Sequence, residues 1–124
     1  MYKIFIIITA IVLIVFVWSC NKKKKYIGGP YYFTGIVHYE IPFKPINEIS
    51  YDQLNNVSAY NEAYYDKNGH IVDFKKYSNG KIEFEDRYVY DEKGKIKMRE
   101  MFKSNGEKSV QYFDEKGNII PDKN

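Results

Sequence analysis

The chain has 124 residues, which is the length of one small domain and too short for a two-domain enzyme. Its formal net charge is +3, from 19 Lys and Arg against 16 Asp and Glu. Lys3 and residues 22–25 supply five of these positive charges, so 14 basic and 16 acidic residues lie beyond residue 25. The body therefore lacks the basic surface on which nucleic-acid binding depends, and no nucleic-acid partner is expected.

The amino-terminal leader is apolar. Residues 4–19 carry no charge and follow Lys3, and a charged start before an apolar stretch is typical of a secretory signal. As a helix, this stretch would measure about 24 Å at ~1.5 Å per residue, which is short of the ~30 Å hydrocarbon core of a bilayer. We therefore predict an N-terminal signal helix over residues 1–19, in preference to a transmembrane span.

The single cysteine, Cys20, stands where the apolar stretch ends, and Val17 and Ser19 precede it. This pattern resembles the lipobox of bacterial lipoproteins. The resemblance implies that the leader is cleaved between Ser19 and Cys20. It also implies that the Cys20 thiol carries a diacyl lipid with palmitate-type chains and that the new amino terminus is acylated. Cys20 is thus predicted as a lipid attachment site.

The four lysines at residues 22–25 leave an alternative open. Positive charges directly after an apolar helix favour the cytoplasmic side, which would make the leader an uncleaved anchor with a cytoplasmic body. Beside a lipid anchor, each of these lysines would instead add about 1 kcal/mol of attraction to anionic headgroups. Residues 20–30, which end in Gly28-Gly29-Pro30, are predicted to form a Lys-rich tether.

The body repeats a short turn motif. Aromatic-Asp-x-x-Gly units occur at residues 65–69, 90–94 and 113–117. Asp at the first position of a type I turn accepts backbone N–H groups, and Gly at the fourth position adopts a positive φ. Ser78-Asn79-Gly80 and Ser104-Asn105-Gly106 lie between these units and suit two-residue hairpin turns. We therefore predict two turn types that alternate along the chain.

The segments between the turns have strand length and alternate in polarity. Tyr, Phe, Ile and Val are common beyond the leader and Leu and Ala are scarce, as expected for strands. The predicted apolar face contains Ile82, Phe84, Tyr88, Tyr90, Ile96, Met98 and Phe102, together with Asp86. The predicted wet face contains Glu83, Glu85, Arg87, Lys97 and Arg99. This pattern predicts an antiparallel meander.

The upstream part adds two strands and a helix to the prediction. Residues 31–41 alternate as a strand that ends at Pro42-Phe43-Lys44-Pro45, and residues 57–65 form the strand that enters the repeats. Residues 47–56 are predicted as a short helix capped by Asn47. The predicted domain, residues 31–120, is a mainly β, curled antiparallel meander of about six strands with at most one short helix. Residues 121–124 are a tail.

The predicted helix is too short to cover the apolar face of such a sheet. We expect the sheet to curl on itself, to pair with a second copy, or to keep part of its Tyr and Phe face for a partner.

Residues 88–96, Tyr-Val-Tyr-Asp-Glu-Lys-Gly-Lys-Ile, resemble the YD repeats of Rhs-type proteins and, more loosely, the MORN-like hairpin repeats of small bacterial antitoxin-type proteins. A longer pattern runs from Tyr32 to Phe113. It comprises Gly35, Ile41-Pro42-Phe43-Lys44, Ala63-Tyr64-Tyr65-Asp66, Gly69, Phe74-Lys75, Gly80, Phe84, Tyr88, Tyr90, Gly94 and Ile96. This pattern is similar to a family of small bacterial domains of unknown function. That resemblance implies a shared domain and brings no activity.

Residues suited to catalysis or metal binding are few. His38 and His70 are the chain's two histidines, and His38 and Glu40, on one face of a strand, are expected to be polar residues at the protein surface. Residues 66–71 resemble the middle of an EF-hand loop, but Tyr64 and Lys75 then stand where carboxylates are required. Glu83 and Glu85 are explained by cross-strand pairing with cations. We predict no catalytic residue, no cofactor, no metal and no enzymatic activity.

The predicted function is that of a membrane-anchored, non-catalytic binding or scaffolding β module of the cell envelope, facing the periplasm, with an envelope protein or a glycan as partner. The alternative is an antitoxin- or immunity-type protein that blocks one partner protein. Glycan binding predicts tyrosines exposed on a concave face, whereas blocking predicts an apolar or charged patch at a sheet edge. An enzyme would need a carboxylate or His with a shifted pKa in a cleft.

Overall fold

The computed structural model describes residues 25–121, which form one antiparallel sheet of eight strands. The strands are β1 Gly28–Ile36, β2 Pro45–Ile49, β3 Ala59–Tyr65, β4 Ile71–Ser78, β5 Lys81–Tyr90, β6 Ile96–Lys103, β7 Lys108–Phe113 and β8 Ile119–Ile120. Their order in the sheet is β2-β1-β3-β4-β5-β6-β7-β8, so β3 to β8 form a meander and β2 and β8 lie at the edges. The predicted mainly β, antiparallel architecture is confirmed.

The predicted count of six strands was wrong, because β2 and β8 were not expected. Pro45–Ile49 pairs with β1, where the prediction placed the start of a helix, and Asn47 adopts a φ of 60° within this strand. A 3₁₀ helix begins only at Tyr51 and ends at Asn56. It follows Ser50, whose N–H donates to Gln53 Oε1 at 2.8 Å. Pairing with an exposed strand edge outweighs the weak helix propensity of this segment.

Several predicted features lie outside the described residues, namely the signal helix over residues 1–19, Cys20 and residues 21–24. Most of the predicted tail, residues 122–124, also lies outside them. β1 begins at Gly28, within the segment predicted as tether. Over residues 25–121, no helix is long and apolar enough to cross a bilayer.

The three aromatic-Asp-x-x-Gly turns have the geometry that the sequence predicts. In the first, Asp66 Oδ1 accepts the backbone N–H groups of Asn68 and His70, each at 2.9 Å. Gly69 closes the turn at a φ of 85°, and its N–H donates to the Asp66 carbonyl at 3.1 Å. Asp91 and Asp114 make the same contacts in their turns. These hydrogen bonds lower the pKa of all three carboxyl groups.

The two Asn-Gly turns differ from each other, which corrects the prediction of a single second type. Asn79 and Gly80 both have positive φ and join Ser78 to Lys81 in a two-residue hairpin. At the other turn, the Gly106 N–H donates to the Lys103 carbonyl and the Lys103 N–H donates to the Glu107 carbonyl. That pattern matches the Asp turns, with Lys103 in the position that Asp occupies there. Asn105 supports this turn by accepting the Glu107 N–H at 3.0 Å.

One face of the sheet carries the core. The buried residues there are Phe33, Phe43, Ala63, Ile71, Phe74 and Tyr88. Phe43 belongs to the loop formed by residues 37–44, which crosses this core face, and its ring lies 5.0 Å from that of Phe74. The chain segment before β1 adds Tyr26, which packs against Phe33 at 5.4 Å. A loop and the incoming chain thus take the place of a helix in covering the core face.

The register of β5 and β6 overturns the predicted faces of β6. Tyr90 lies opposite Ile96 and Val89 lies opposite Met98, so the ladder shifts by one residue at Lys97. Such a bulge reverses the side to which the following residues point. Met98 and Phe102 therefore lie on the open face, beside the charged residues. Arg99, predicted to be wet, lies on the core face opposite Tyr88.

Candidate functional site

Four tyrosines gather on the open face of the sheet, at the end formed by β1, β3, β4 and the 3₁₀ helix. Tyr60 on β3 lies directly opposite Tyr77 on β4, and Tyr32 on β1 lies opposite Glu62, two residues along β3. Residues directly or diagonally opposite each other on one face bring their side chains into contact. The 3₁₀ helix begins with Tyr51, whose ring lies 5.9 Å from that of Tyr32. We call Tyr32, Tyr51, Tyr60 and Tyr77 the tyrosine row.

The rings of the tyrosine row are held by contacts with each other. Tyr60 and Tyr77 stack with their centroids 4.9 Å apart and their planes 12° apart. Tyr32 meets Tyr60 edge to face at 5.9 Å. Tyr51, at the end of the row, is 72% exposed. The row therefore combines an ordered aromatic base with one ring that is open to a ligand.

A groove of about 660 Å³ runs beside the tyrosine row. Its walls are Tyr32, Tyr51, Asp52, Leu54, Asn55, Val57, Ser58, Tyr60, Glu62, Asn79 and Gly80. The aromatic rings and Leu54 supply apolar surface, whereas Asn55, Asn79 and the two carboxylates supply hydrogen-bonding groups. Apolar walls with a few polar groups are the usual composition of a ligand-binding groove.

The groove has an acidic character. Asp52 and Glu62 line it, and within the part of the chain that the structure describes none of its lining residues is Lys or Arg. Burial raises the pKa of the Tyr32 and Tyr60 hydroxyls, and the negative charge of Glu62 raises both further. Glu62 pairs with Lys75, whose Nζ lies 3.5 Å from Glu62 Oε1 and 3.5 Å from Glu85 Oε2. Lys75 therefore forms ion pairs with two carboxylates.

A ladder of ion pairs continues from the groove across the open face. Arg87 Nη2 lies 2.8 Å from Glu85 Oε1, and Arg87 Nε lies 3.7 Å from Asp73 Oδ2. The prediction that Glu83 and Glu85 take part in cross-strand pairing is confirmed, with Lys76 as the partner of Glu83 at 3.5 Å. The pairing of Arg99 differs from the prediction, because this side chain lies on the core face.

Asp73 is the least compensated carboxylate of this ladder. Its Oδ1 is buried and has no hydrogen-bond partner, and burial followed by the charge of Glu85 raises its pKa to about 6. A shifted carboxylate also occurs in catalytic sites, but structural ion-pair networks produce the same shift. Among residues 25–121, no group of three or more His, Cys, Asp or Glu is placed to hold a metal ion.

The two histidines lie away from the groove. His38 and Glu40 are exposed and belong to the loop of residues 37–44 and not to a strand, because β1 ends at Ile36. His70 stacks on Tyr90 at 4.8 Å, and its Nδ1 lies 3.4 Å from Asp66 Oδ2. A second groove, of about 610 Å³, opens beside these turns. Its His and Asp groups are engaged in the turn itself.

The sheet edge at β7 and β8 exposes a further set of apolar side chains, namely Val110, Tyr112, Ile119 and Ile120. Tyr112 lies opposite both Met98 and Ile120, which places these three residues on the open face. β8 has only two residues, and no other strand of the described chain, residues 25–121, lies beside it. This edge therefore offers unpaired backbone groups next to apolar surface.

The groove was not predicted from the sequence. Tyrosines at every second position of a strand are more often core, and the predicted faces did not include Tyr32, Tyr60 or Tyr77. The orientation of these tyrosines follows from alternation along β3. Ala63 is fully buried, so Tyr60 and Glu62 point to the opposite face of the sheet. The place of Tyr51 follows from the path of the chain after β2. The one predicted site residue, Cys20, lies outside the described residues.

Comparison with known proteins identifies a family. The model of a family described as "Family of unknown function (DUF6156)" matches residues 27–122, which is most of the chain and nearly all of the sheet. No curated protein and no solved structure gives a significant match.

Proposed function

We propose that this chain, which belongs to the DUF6156 family of unknown function, is a non-catalytic binding module of the cell envelope. In this proposal, the module holds a glycan in the groove beside the tyrosine row and is anchored to a membrane through a lipid on Cys20. The observation that carries the proposal is the groove, in which three tyrosine rings lie beside two carboxylates and two side-chain amides.

A glycan fits the chemistry of this groove better than a wholly apolar ligand. The C–H face of a sugar ring packs against an aromatic ring, while its hydroxyl groups need polar partners at the rim. Tyr51 is mostly exposed to solvent, and Asn55, Asn79 and Asp52 line the same groove with side chains that can form hydrogen bonds. Tyr60, which lines the groove, is held by stacking on Tyr77. Little ordering is then required when a ligand binds.

The path of the chain supports a role at a membrane surface. Lys25 enters the sheet beside Gly69, at the end that carries the three Asp turns. The groove includes Asn79 and Gly80, which belong to the opposite end. β5 has ten residues, so the two ends lie about 33 Å apart at ~3.3 Å per residue. With Cys20 lipidated five residues before Lys25, the groove would face away from the bilayer.

The test is binding of the full chain, in detergent micelles, to an array of envelope oligosaccharides, with Tyr51→Ala as the test variant. Loss of one aromatic contact with the ligand is expected to weaken binding about tenfold. Tyr39→Ala is the matched control, because Tyr39 is 93% exposed and lies outside the groove. Absence of glycan binding, or equal losses in the two variants, would contradict the proposal.

A second candidate function is supported by the apolar edge at β7 and β8. Val110, Tyr112 and Ile120 stand beside the open edge of a two-residue strand, which suits a partner that adds a strand of its own. This is the geometry expected of an immunity-type protein, and the MORN-like resemblance agrees with it. A photo-crosslinker at position 112 should then capture one defined protein that a crosslinker at position 51 does not capture. Capture from position 51 alone would exclude this candidate.

A further inference from the structure

We propose that the glycan bound in the groove is an oligosaccharide of amino sugars whose amines are free and protonated. This inference rests on the proposed function and specifies its substrate class. It follows from the charge of the groove, from its aromatic faces and from the polar groups at its rim.

The charge of the groove favours a cation. Asp52 and Glu62 line it, with no Lys or Arg among the lining residues that belong to residues 25–121. Lys75 lies 3.5 Å from both Glu62 and Glu85, and Glu85 also pairs with Arg87. In the described part of the chain, Asp52 forms no ion pair. The negative charge near the rings is therefore only partly neutralised. A glycan that carries carboxylates or phosphates would meet repulsion here, whereas an ammonium group would be attracted.

The tyrosine rings favour the same kind of group. An ammonium placed over the face of a Tyr ring is attracted by the ring quadrupole. Tyr51 presents such a face to solvent, and Asp52 follows it directly on the 3₁₀ helix. Tyr32 lies 5.9 Å from both Tyr51 and Tyr60 and stands opposite Glu62. Tyrosine rings and carboxylates therefore line the same groove.

The side-chain amides in the groove distinguish an amino sugar from a simple amine. Asn55 and Asn79 have side chains that both donate and accept, which suits the hydroxyl groups of a sugar. The groove volume of about 660 Å³ is also large for a single ammonium group and suits more than one sugar ring. The ammonium group of a lysine side chain would contact only the carboxylates and would leave the rest of the groove unfilled.

The experiment is calorimetric titration of the full chain, in detergent micelles, with two tetrasaccharides of the same backbone. One is the glucosamine tetramer with free amines and the other is its fully N-acetylated form. The expected result is binding of the free-amine tetramer at least about tenfold more tightly. Asp52→Asn should weaken that binding about fivefold, because one attractive charge is lost. Glu83→Gln is the matched control, since Glu83 pairs with Lys76 outside the groove and should leave binding unchanged.

Each other outcome overturns the inference in a distinct way. Equal or tighter binding of the acetylated tetramer would refute the preference for a cation and leave the glycan-binding function standing. Binding of neither tetramer would contradict the glycan-binding function as well. Tetralysine binding as tightly as the free-amine tetramer, with the same loss in Asp52→Asn, would show that the groove selects charge and not a sugar.

Discussion

Arg99 on β6 holds Asp86 on β5 through two hydrogen bonds to a single carboxylate oxygen. Its Nη2 lies 2.7 Å and its Nε 2.8 Å from Asp86 Oδ2, and the Tyr88 hydroxyl donates to the same atom at 2.9 Å. Asp86 is 1% exposed. The Phe43 N–H donates to the Tyr88 hydroxyl at 3.3 Å, so this buried network joins the loop of residues 37–44 to the sheet.

The first prediction concerns this network. Arg99→Met leaves the Asp86 carboxylate buried without its cation, and we expect the free energy of unfolding to fall by about 3 kcal/mol. The double variant Arg99→Met/Asp86→Leu also removes the buried, unpaired carboxylate, so it should recover part of the lost free energy of unfolding. Urea unfolding measures both effects. Lys103→Met is the control, because the pair of Lys103 with Glu107 is exposed and worth less than about 0.5 kcal/mol. A double variant less stable than Arg99→Met would contradict the account.

The second prediction concerns the loop that covers the core face. Phe43→Ala removes a buried ring that contacts Phe74 and Phe84, at 5.0 Å and 5.9 Å. We expect a loss of about 3 kcal/mol in urea unfolding, as for other buried aromatic residues. Tyr39→Ala, in the same loop but on an exposed side chain, should cost less than about 0.5 kcal/mol. Similar losses in the two variants would show that the loop is not packed as described.

The third prediction compares two turn glycines. Gly106 has a φ of 86° and open space around it. Gly106→Ala should therefore lower the free energy of unfolding by about 1 kcal/mol, the strain of a left-handed backbone at alanine. Gly94 has a similar φ of 79°, but a Cβ there would lie 3.0 Å from the His70 ring. Gly94→Ala should therefore cost more, by thermal or urea unfolding. In a His70→Ala background, the cost of Gly94→Ala should drop to that of Gly106→Ala, and an unchanged cost would refute the crowding.

The fourth prediction concerns pH. Burial, and then the charge of Glu85, raises the pKa of Asp73 to about 6, so the folded chain binds this proton more tightly than the unfolded chain. The free energy of unfolding should therefore fall as the pH rises from about 4.5 to about 6.5, by about 1 to 2 kcal/mol.

Asp73→Asn should remove most of this slope and should stabilise the chain at neutral pH. Asp86, whose pKa burial also raises, accounts for the remainder. The turn residue Asp91 has a lowered pKa and contributes stability that is lost only in more acidic solution. Asp91→Asn is therefore the control and should leave the slope unchanged. A slope that Asp73→Asn does not alter would contradict the position assigned to this carboxylate.

Local chemistry made much of the fold predictable. The Asp turns form as expected because each needs only its own five residues and one glycine with positive φ. The Ser104-Asn105-Gly106 turn differs because the registers of β6 and β7 leave a three-residue loop there. The bulge at Lys97, which moves Arg99 to the core face, depends on pairing between strands and has no signature in the β6 sequence alone.

The groove depends on contacts that sequence periodicity does not contain. Tyr60 and Tyr77 alternate as core residues would, and only the buried Ala63 on the other face shows that they point outward. Tyr51 reaches the groove because β2 turns back along β1, in a segment predicted to be helical. Pairing of that segment with β1 was a nonlocal event, so the position of the groove's exposed ring could not be derived from local propensity.

The central claim, a binding module held at a membrane through Cys20, is tested most directly by the mass and membrane partitioning of the chain. The wild-type chain and Cys20→Ala would be expressed in a bacterium, fractionated and analysed by intact mass spectrometry. The account predicts a wild-type product that lacks residues 1–19, carries acyl mass and stays with the membrane, with both modifications lost in Cys20→Ala. An uncleaved, unmodified wild-type chain with a cytoplasmic body would contradict it.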